Sequence, residues 1–131
     1  FMQAYGEAGL RAGPLGGEAL LGRLYLHTVE FGLVEEDGAL RGFGAGLLSS
    51  LAETVHALTG PDVRRLHFDL PRVMRTGYRF DSFQKEYFVI PSFEDLLAAM
   101  EEADLAACYR RLERLPLLEP GADAAEDRPY P

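Results

Sequence analysis

The sequence predicts a mainly α-helical fold that carries a short β-hairpin and one or two further short strands. Three observations point there. Apolar residues recur at three- and four-residue spacing in three separate stretches, the signature of helices with one buried face. Asp37-Gly38 lies between two short strand-like runs, a strong signal for a two-residue hairpin. The run Tyr87, Phe88, Val89, Ile90 consists of residues that favour extended chain.

Each element has its own justification. Residues 1–12 read as a short helix broken by Gly13-Pro14 and Gly16-Gly17. Over 18–31, Leu20, Leu21, Leu24, Tyr25, Thr28 and Phe31 fall at helical spacing, and Gly32 offers a C-terminal stop. The Asp-Gly hairpin follows. Leu47, Leu51, Val55 and Leu58 then share one face of a helix over 47–58, ended by Thr59-Gly60-Pro61. Asp69 and Pro71 suit the cap and first turn of a short helix. After the strand in FQKEYFVI, Ser92 and Asp95 make a capping-box-like start. The helix they open carries Phe93, Leu96, Leu97, Met100, Leu105, Cys108 and Leu112. Residues 116–131 are rich in proline, alanine and acids, which predicts a disordered tail after one unit over 1–115.

Composition narrows the function. At 131 residues and 47% hydrophobic, the chain can bury one modest core. Its apolar runs are too short for a membrane-crossing helix, and no basic-then-apolar opening marks a secretory leader. A single cysteine, Cys108, permits no internal disulfide and fits a reducing cytoplasm. A net charge of −8 argues against nucleic-acid backbones and anionic membrane surfaces as partners. The chain opens on Phe1 rather than Met, as a fragment would.

Two stretches invite chemistry. In HTVEFGL, Glu30 interrupts a mostly apolar run, and a buried lone carboxylate is costly unless it is paired or bound to a metal. On an α-helix His27 would share its face, and a His with a carboxylate makes two ligands of a non-haem iron or zinc site. Spacing alone favours an exposed or salt-bridged Glu30 over a ligand. His56 and His67 show no ligand spacing to it. In GAGLLSS, residues 44–50, two glycines permit close backbone approach and paired serines suit a helix cap. That stretch reads either as a plain turn or as the floor of a polar ligand site.

Taken together, TVEFGL, the hairpin, GAGLLSS and RVMRTGYRFDSFQKEYFVIPSFEDL resemble the aromatic amino acid hydroxylase family, most closely its bacterial phenylalanine 4-hydroxylases. The resemblance runs from about Ala4 to Met100 and implies a partial catalytic domain of that family. It implies that Glu30 is the carboxylate of a two-His-one-carboxylate Fe(II) site, with tetrahydrobiopterin as second cofactor and O2 and an aromatic amino acid as substrates. It assigns Phe31 to the substrate ring and Gly46 to the backbone that the ring approaches. Ser49 becomes a hydroxyl directed toward an iron-binding histidine, Glu53 an acid of the same pocket, and Tyr25 a neighbour of iron and pterin.

The departures are equally specific. The family's His-[Asp/Glu]-x-x-Gly-His motif, which supplies both histidine ligands, is absent, so the chain by itself is expected to be inactive. Leu26 stands where relatives place an aromatic wall beside the substrate, which weakens stacking by about 0.5–1.5 kcal/mol. His27 stands where relatives carry an aromatic residue. Two other readings remain: a non-catalytic module that self-associates through exposed apolar surface, and a small metalloprotein pairing His27 with Glu30 across a dimer.

Overall fold

The computed structural model describes residues 18–79, 81–102 and 105–131; the helix expected over 1–12 lies outside them. In chain order the elements are α1 (Glu18–Tyr25), a π-helical turn (Leu26–Glu30), β1 (Leu33–Glu36), β2 (Ala39–Gly42), α2 (Ala45–Leu48) and α3 (Leu51–Thr59). They continue with β3 (Arg64–His67), α4 (Leu70–Met74), β4 (Glu86–Ile90), α5 (Phe93–Glu102) and α6 (Leu105–Glu113). The expected class holds: helices surround a small four-stranded sheet of order β2-β1-β4-β3.

The hairpin forms as its dipeptide dictates. Glu36 pairs with Ala39, and Asp37 and Gly38 take φ of 53° and 77°, the left-handed values that a primed two-residue turn demands. β4 lies parallel to both β1 and β3, and all five of its residues are buried, as befits a strand covered on both faces. Phe88 joins the larger core with Leu24, Leu66, Val73, Met74, Tyr109 and Leu112. Tyr87 and Val89 face the other way, onto Leu33, Leu47, Ala57 and Val63. β3, sequence RRLH, is the strand that pattern reading did not single out, because only Leu66 in it is buried.

The helix expected over 47–58 is two helices, and its buried face differs from the expected one. Ser50 caps α3 by accepting from the Glu53 N–H at 3.2 Å, so the chain bends between α2 and α3. The bend turns α3 so that Glu53 and Ala57 face inward, while Leu51 and Val55 stand 81% and 53% exposed. Asp69 caps α4 through the Arg72 N–H, and Ser92 accepts from the Asp95 N–H, both as expected. The long closing helix is described as α5 and α6, with Leu96, Met100, Leu105, Tyr109 and Leu112 inward.

The segment 116–131 departs from the expected disordered tail: it runs back over the sheet edge. Leu118 exchanges backbone bonds with Arg75 and Gly77, and the His67 C-terminal end of β3 and Arg65 bond to Arg128 and Tyr130. Its anchor is Arg72, 1% exposed, whose guanidinium donates to Asp127 Oδ1 at 2.7 Å, to the Ala122 carbonyl at 2.8 Å and to Thr76 Oγ1 at 2.5 Å. Burial alone would raise the Asp127 pKa, but the bonds from Arg72 and the Ala124 N–H hold it below the usual range. Composition announced a solvated tail because a charge partner 55 positions away is invisible to it.

Asp127→Ala leaves the Arg72 guanidinium buried without its counter-ion and should cost about 3–5 kcal/mol in urea unfolding. Substitution of the exposed Asp123 should cost under about 1 kcal/mol.

Candidate metal and substrate site

The site begins with a local change of helix type. α1 ends at Tyr25, and the Phe31 N–H reaches back five residues to the Leu26 carbonyl at 2.9 Å. A wider turn of this kind often marks functional positions. The Thr28 hydroxyl donates to the Leu24 carbonyl at 2.7 Å, adding a bond where the ladder changes step.

Because the turn is wide, His27 and Glu30 do not share a face as they would on an α-helix. His27 points into the core, 2% exposed, edge-on to Phe88 with ring centroids 5.2 Å apart. Its Nε2 lies 3.0 Å from the Thr76 carbonyl, and since a carbonyl only accepts, Nε2 carries the proton. Burial, reinforced by the nearby Arg72 and Arg23, lowers its pKa to about 4, against the pull of the Thr76 and Gly77 backbone. A ring so enclosed reaches no partner copy, which overturns the reading of a His27–Glu30 metal pair across a dimer.

Glu30 ends the turn, half-buried, with its carboxylate against the GAG backbone. A Cβ at Gly46 would lie 2.9 Å from Glu30 Oε2 and 3.3 Å from Phe31 Cζ. A Cβ at Gly44 would collide with the Glu30 backbone carbonyl. Glycine is therefore required sterically at position 44, a side chain at position 46 would displace the Glu30 carboxylate, and α2 lies directly over the acid. One turn on, Ser49 donates to the Gly46 carbonyl at 2.8 Å and is exposed. Among the described residues no hydrogen bond or ion pair engages the Glu30 carboxylate.

The other sequence-marked residues divide. Phe31 is half-buried and packs on the Tyr87-side core, and Tyr25 and Leu26 are half-buried on the same helical segment. Glu53 is 7% exposed, and its Oε2 accepts from the Tyr87 hydroxyl at 2.6 Å and the Gln84 N–H at 3.2 Å. Burial, with the Glu53 carboxylate beside it, drives the Tyr87 phenol far upward, so it stays protonated. His56 and His67 are half-buried, His56 bonding the Gln84 carbonyl and His67 stacking edge-on with Tyr130. No group of three His, Cys, Asp or Glu among the described residues is placed to hold a metal ion.

Sequence reasoning missed Tyr87 and Gln84 as partners of Glu53, and Thr28 as a bond within the turn. A Thr at an inward helical position was the one available signal for the last. The partners of Glu53 lie more than 30 positions away and left none.

Residues 8–114 match the family described as biopterin-dependent aromatic amino acid hydroxylase. The chain is 49% identical over 121 residues to phenylalanine-4-hydroxylase of Ralstonia nicotianae, covering 92% of this chain and 38% of that one. To phenylalanine-4-hydroxylase of Caulobacter vibrioides it is 52% identical over 112 residues, covering 86% and 38%. A crystal structure of phenylalanine hydroxylase from Chromobacterium violaceum bound to cobalt is similar at TM-score 0.92 and 42% identity, over 97% of this chain and 46% of that one. The chain thus spans less than half the length of these relatives.

Gly44→Ala sets a methyl group against backbone that cannot rotate away, and should cost about 1–3 kcal/mol in thermal or urea unfolding. His27 should make the protein acid-labile in a defined window. Above pH 6.5 the ring is neutral folded and unfolded; below it only the unfolded chain gains the proton, until about pH 4. Stability should fall over that interval by up to about 3 kcal/mol, and His27→Phe should flatten the slope.

Proposed function

Because the chain belongs to the biopterin-dependent aromatic amino acid hydroxylase family, we propose that it is the C-terminal portion of a pterin- and iron-dependent aromatic amino acid monooxygenase, converting phenylalanine to tyrosine with O2. The observation that carries this reading is the placement of Glu30: a half-buried carboxylate, unpaired among the described residues, pressed against the glycine turn that leads to Ser49. Such an oxygen, half-buried and with no competing partner among those residues, is available to a divalent cation.

Glu30 fits one of three places in a facial ligand set, and the described residues supply neither of the others. The described residues alone therefore do not complete an iron site. When bound, iron and tetrahydrobiopterin supply the oxygen activation. The residues of this chain present one anionic donor, Glu30, and an apolar wall of Phe31 and Leu26 for the substrate ring. Gly46 leaves room for that ring, Ser49 contributes a hydroxyl, and Tyr25 stands on the cofactor side. With Leu26 in place of an aromatic residue, the wall is shallower and selection for phenylalanine over other aromatic amino acids is weaker. Glu53 belongs to the same corner of the fold.

Leu48, Leu51 and Val55, which are 57%, 81% and 53% exposed, form an apolar stripe beside the site. We assign this stripe to contact with the remainder of the domain, and without that cover it drives self-association. No described helix is long and apolar enough to cross a membrane, and the lone Cys108 suits a cytoplasmic setting.

Co-expression with the upstream portion of the Ralstonia nicotianae enzyme, the part this chain does not match, should restore conversion of phenylalanine to tyrosine, and Glu30→Ala should abolish it. Micromolar Fe(II) affinity with hydroxylation by the 131-residue chain alone would overturn the reading, as would a complemented Glu30→Ala protein that remains active.

A further inference from the structure

α2 has only four residues, too few to hold a position by its own hydrogen bonds. Its start is set by Gly44, whose N–H bonds the Gly32 carbonyl at 3.2 Å and whose backbone rests on Glu30. Its end is tied to α3: the Ser50 N–H and the Thr54 hydroxyl both donate to the Leu47 carbonyl, at 3.1 and 2.8 Å. The location of α2 over Glu30 therefore depends on where the start of α3 is fixed.

Glu53 fixes it. Its N–H closes the cap on Ser50 Oγ, and its carboxylate crosses to the central strand, where Tyr87, 1% exposed, donates at 2.6 Å. The Gln84 N–H adds a second bond to the same oxygen at 3.2 Å. Gln84 is itself held, its side chain exchanging bonds with the Arg79 N–H and carbonyl. A buried hydrogen bond to an ionised acceptor is among the stronger non-covalent links available to a fold, and its loss strands the acceptor.

We propose that Tyr87 is a positioning residue for the candidate site: its hydroxyl, through Glu53, fixes the α2–α3 corner and with it the contact of Gly46 on Glu30. This rests on the reading of Glu30 and Gly46 as the site, and it adds a residue on the central strand that touches neither metal nor substrate. Glu53 accordingly serves the pocket as a strut between α3 and β4, with the serine turn as the part it places.

Tyr87→Phe removes one oxygen and keeps the ring in the core. In amide hydrogen exchange of the 131-residue chain, the Ser49, Ser50, Glu53 and Thr54 amides should exchange at least about ten-fold faster than in the parent, while Leu66 and Val89 in the sheet change by less than about two-fold. The carboxyl carbon resonance of Glu30 should move in the same variant. Exchange that is unchanged, exchange that rises uniformly across the sheet, or an unmoved Glu30 resonance overturns the proposal. Should Tyr87→Phe fail to fold, Glu53→Gln, which keeps an accepting oxygen, should preserve protection of the corner and Glu53→Leu should lose it; equal behaviour of the two overturns the proposal. None of these measurements involves iron, so their failure is separable from failure of the complementation experiment.

Discussion

A side-chain carbon at position 44 would occupy the space of the Glu30 carbonyl, and on that absence of a side chain the arrangement of the candidate site depends. The close approach lets a four-residue helix lie across the end of the π-helical turn, with Gly46 over the carboxylate and Ser49 one turn beyond. Remove the approach and the acid and the serine belong to unconnected surfaces. What brings them together is steric permission at two glycines, backed by the corner that Ser50, Glu53 and Thr54 build.

Much of this was legible from sequence where the signal is local. Asp37-Gly38 specified its turn because two consecutive left-handed residues leave few alternatives. Asp69 and Ser92 announced helix starts because a cap bonds only two or three residues ahead. Glu30 stood out because an acid in an apolar run needs a reason, and TVEFGL with GAGLLSS identified the family. What stayed hidden is what depends on distant partners. Leu51 and Val55 read as core until the bend at Ser50 turned them outward. The segment 116–131 read as solvated because Arg72, its buried counter-charge, belongs to a helix that pattern reading treated only as capped and short. The π-helical turn left no trace in periodicity, and with it went the notion that His27 and Glu30 share a face.

Two buried carboxylate links, one an ion pair and one a hydrogen bond from a neutral phenol, organise the halves of the structure. Arg72 with Asp127 binds the C-terminal segment to α4 beside the larger core. Glu53 with Tyr87 binds α3 to the opposite face of the same central strand. Each places a charge out of water only because its hydrogen bonds are satisfied. Both links are long-range, so the strand Glu86–Ile90 is covered on both sides by elements clasped through charge as well as through apolar contact.

The π-helical turn also bears on how such a site tolerates change in chain length. A wide turn accommodates one residue more than the α-helix it interrupts. Deleting a single residue between Tyr25 and Glu30 would let the segment return to regular α-helical hydrogen bonding with the residues on either side near their present places. The irregularity is thus equivalent to a one-residue insertion absorbed within the turn, so that Glu30 keeps its place against the glycines.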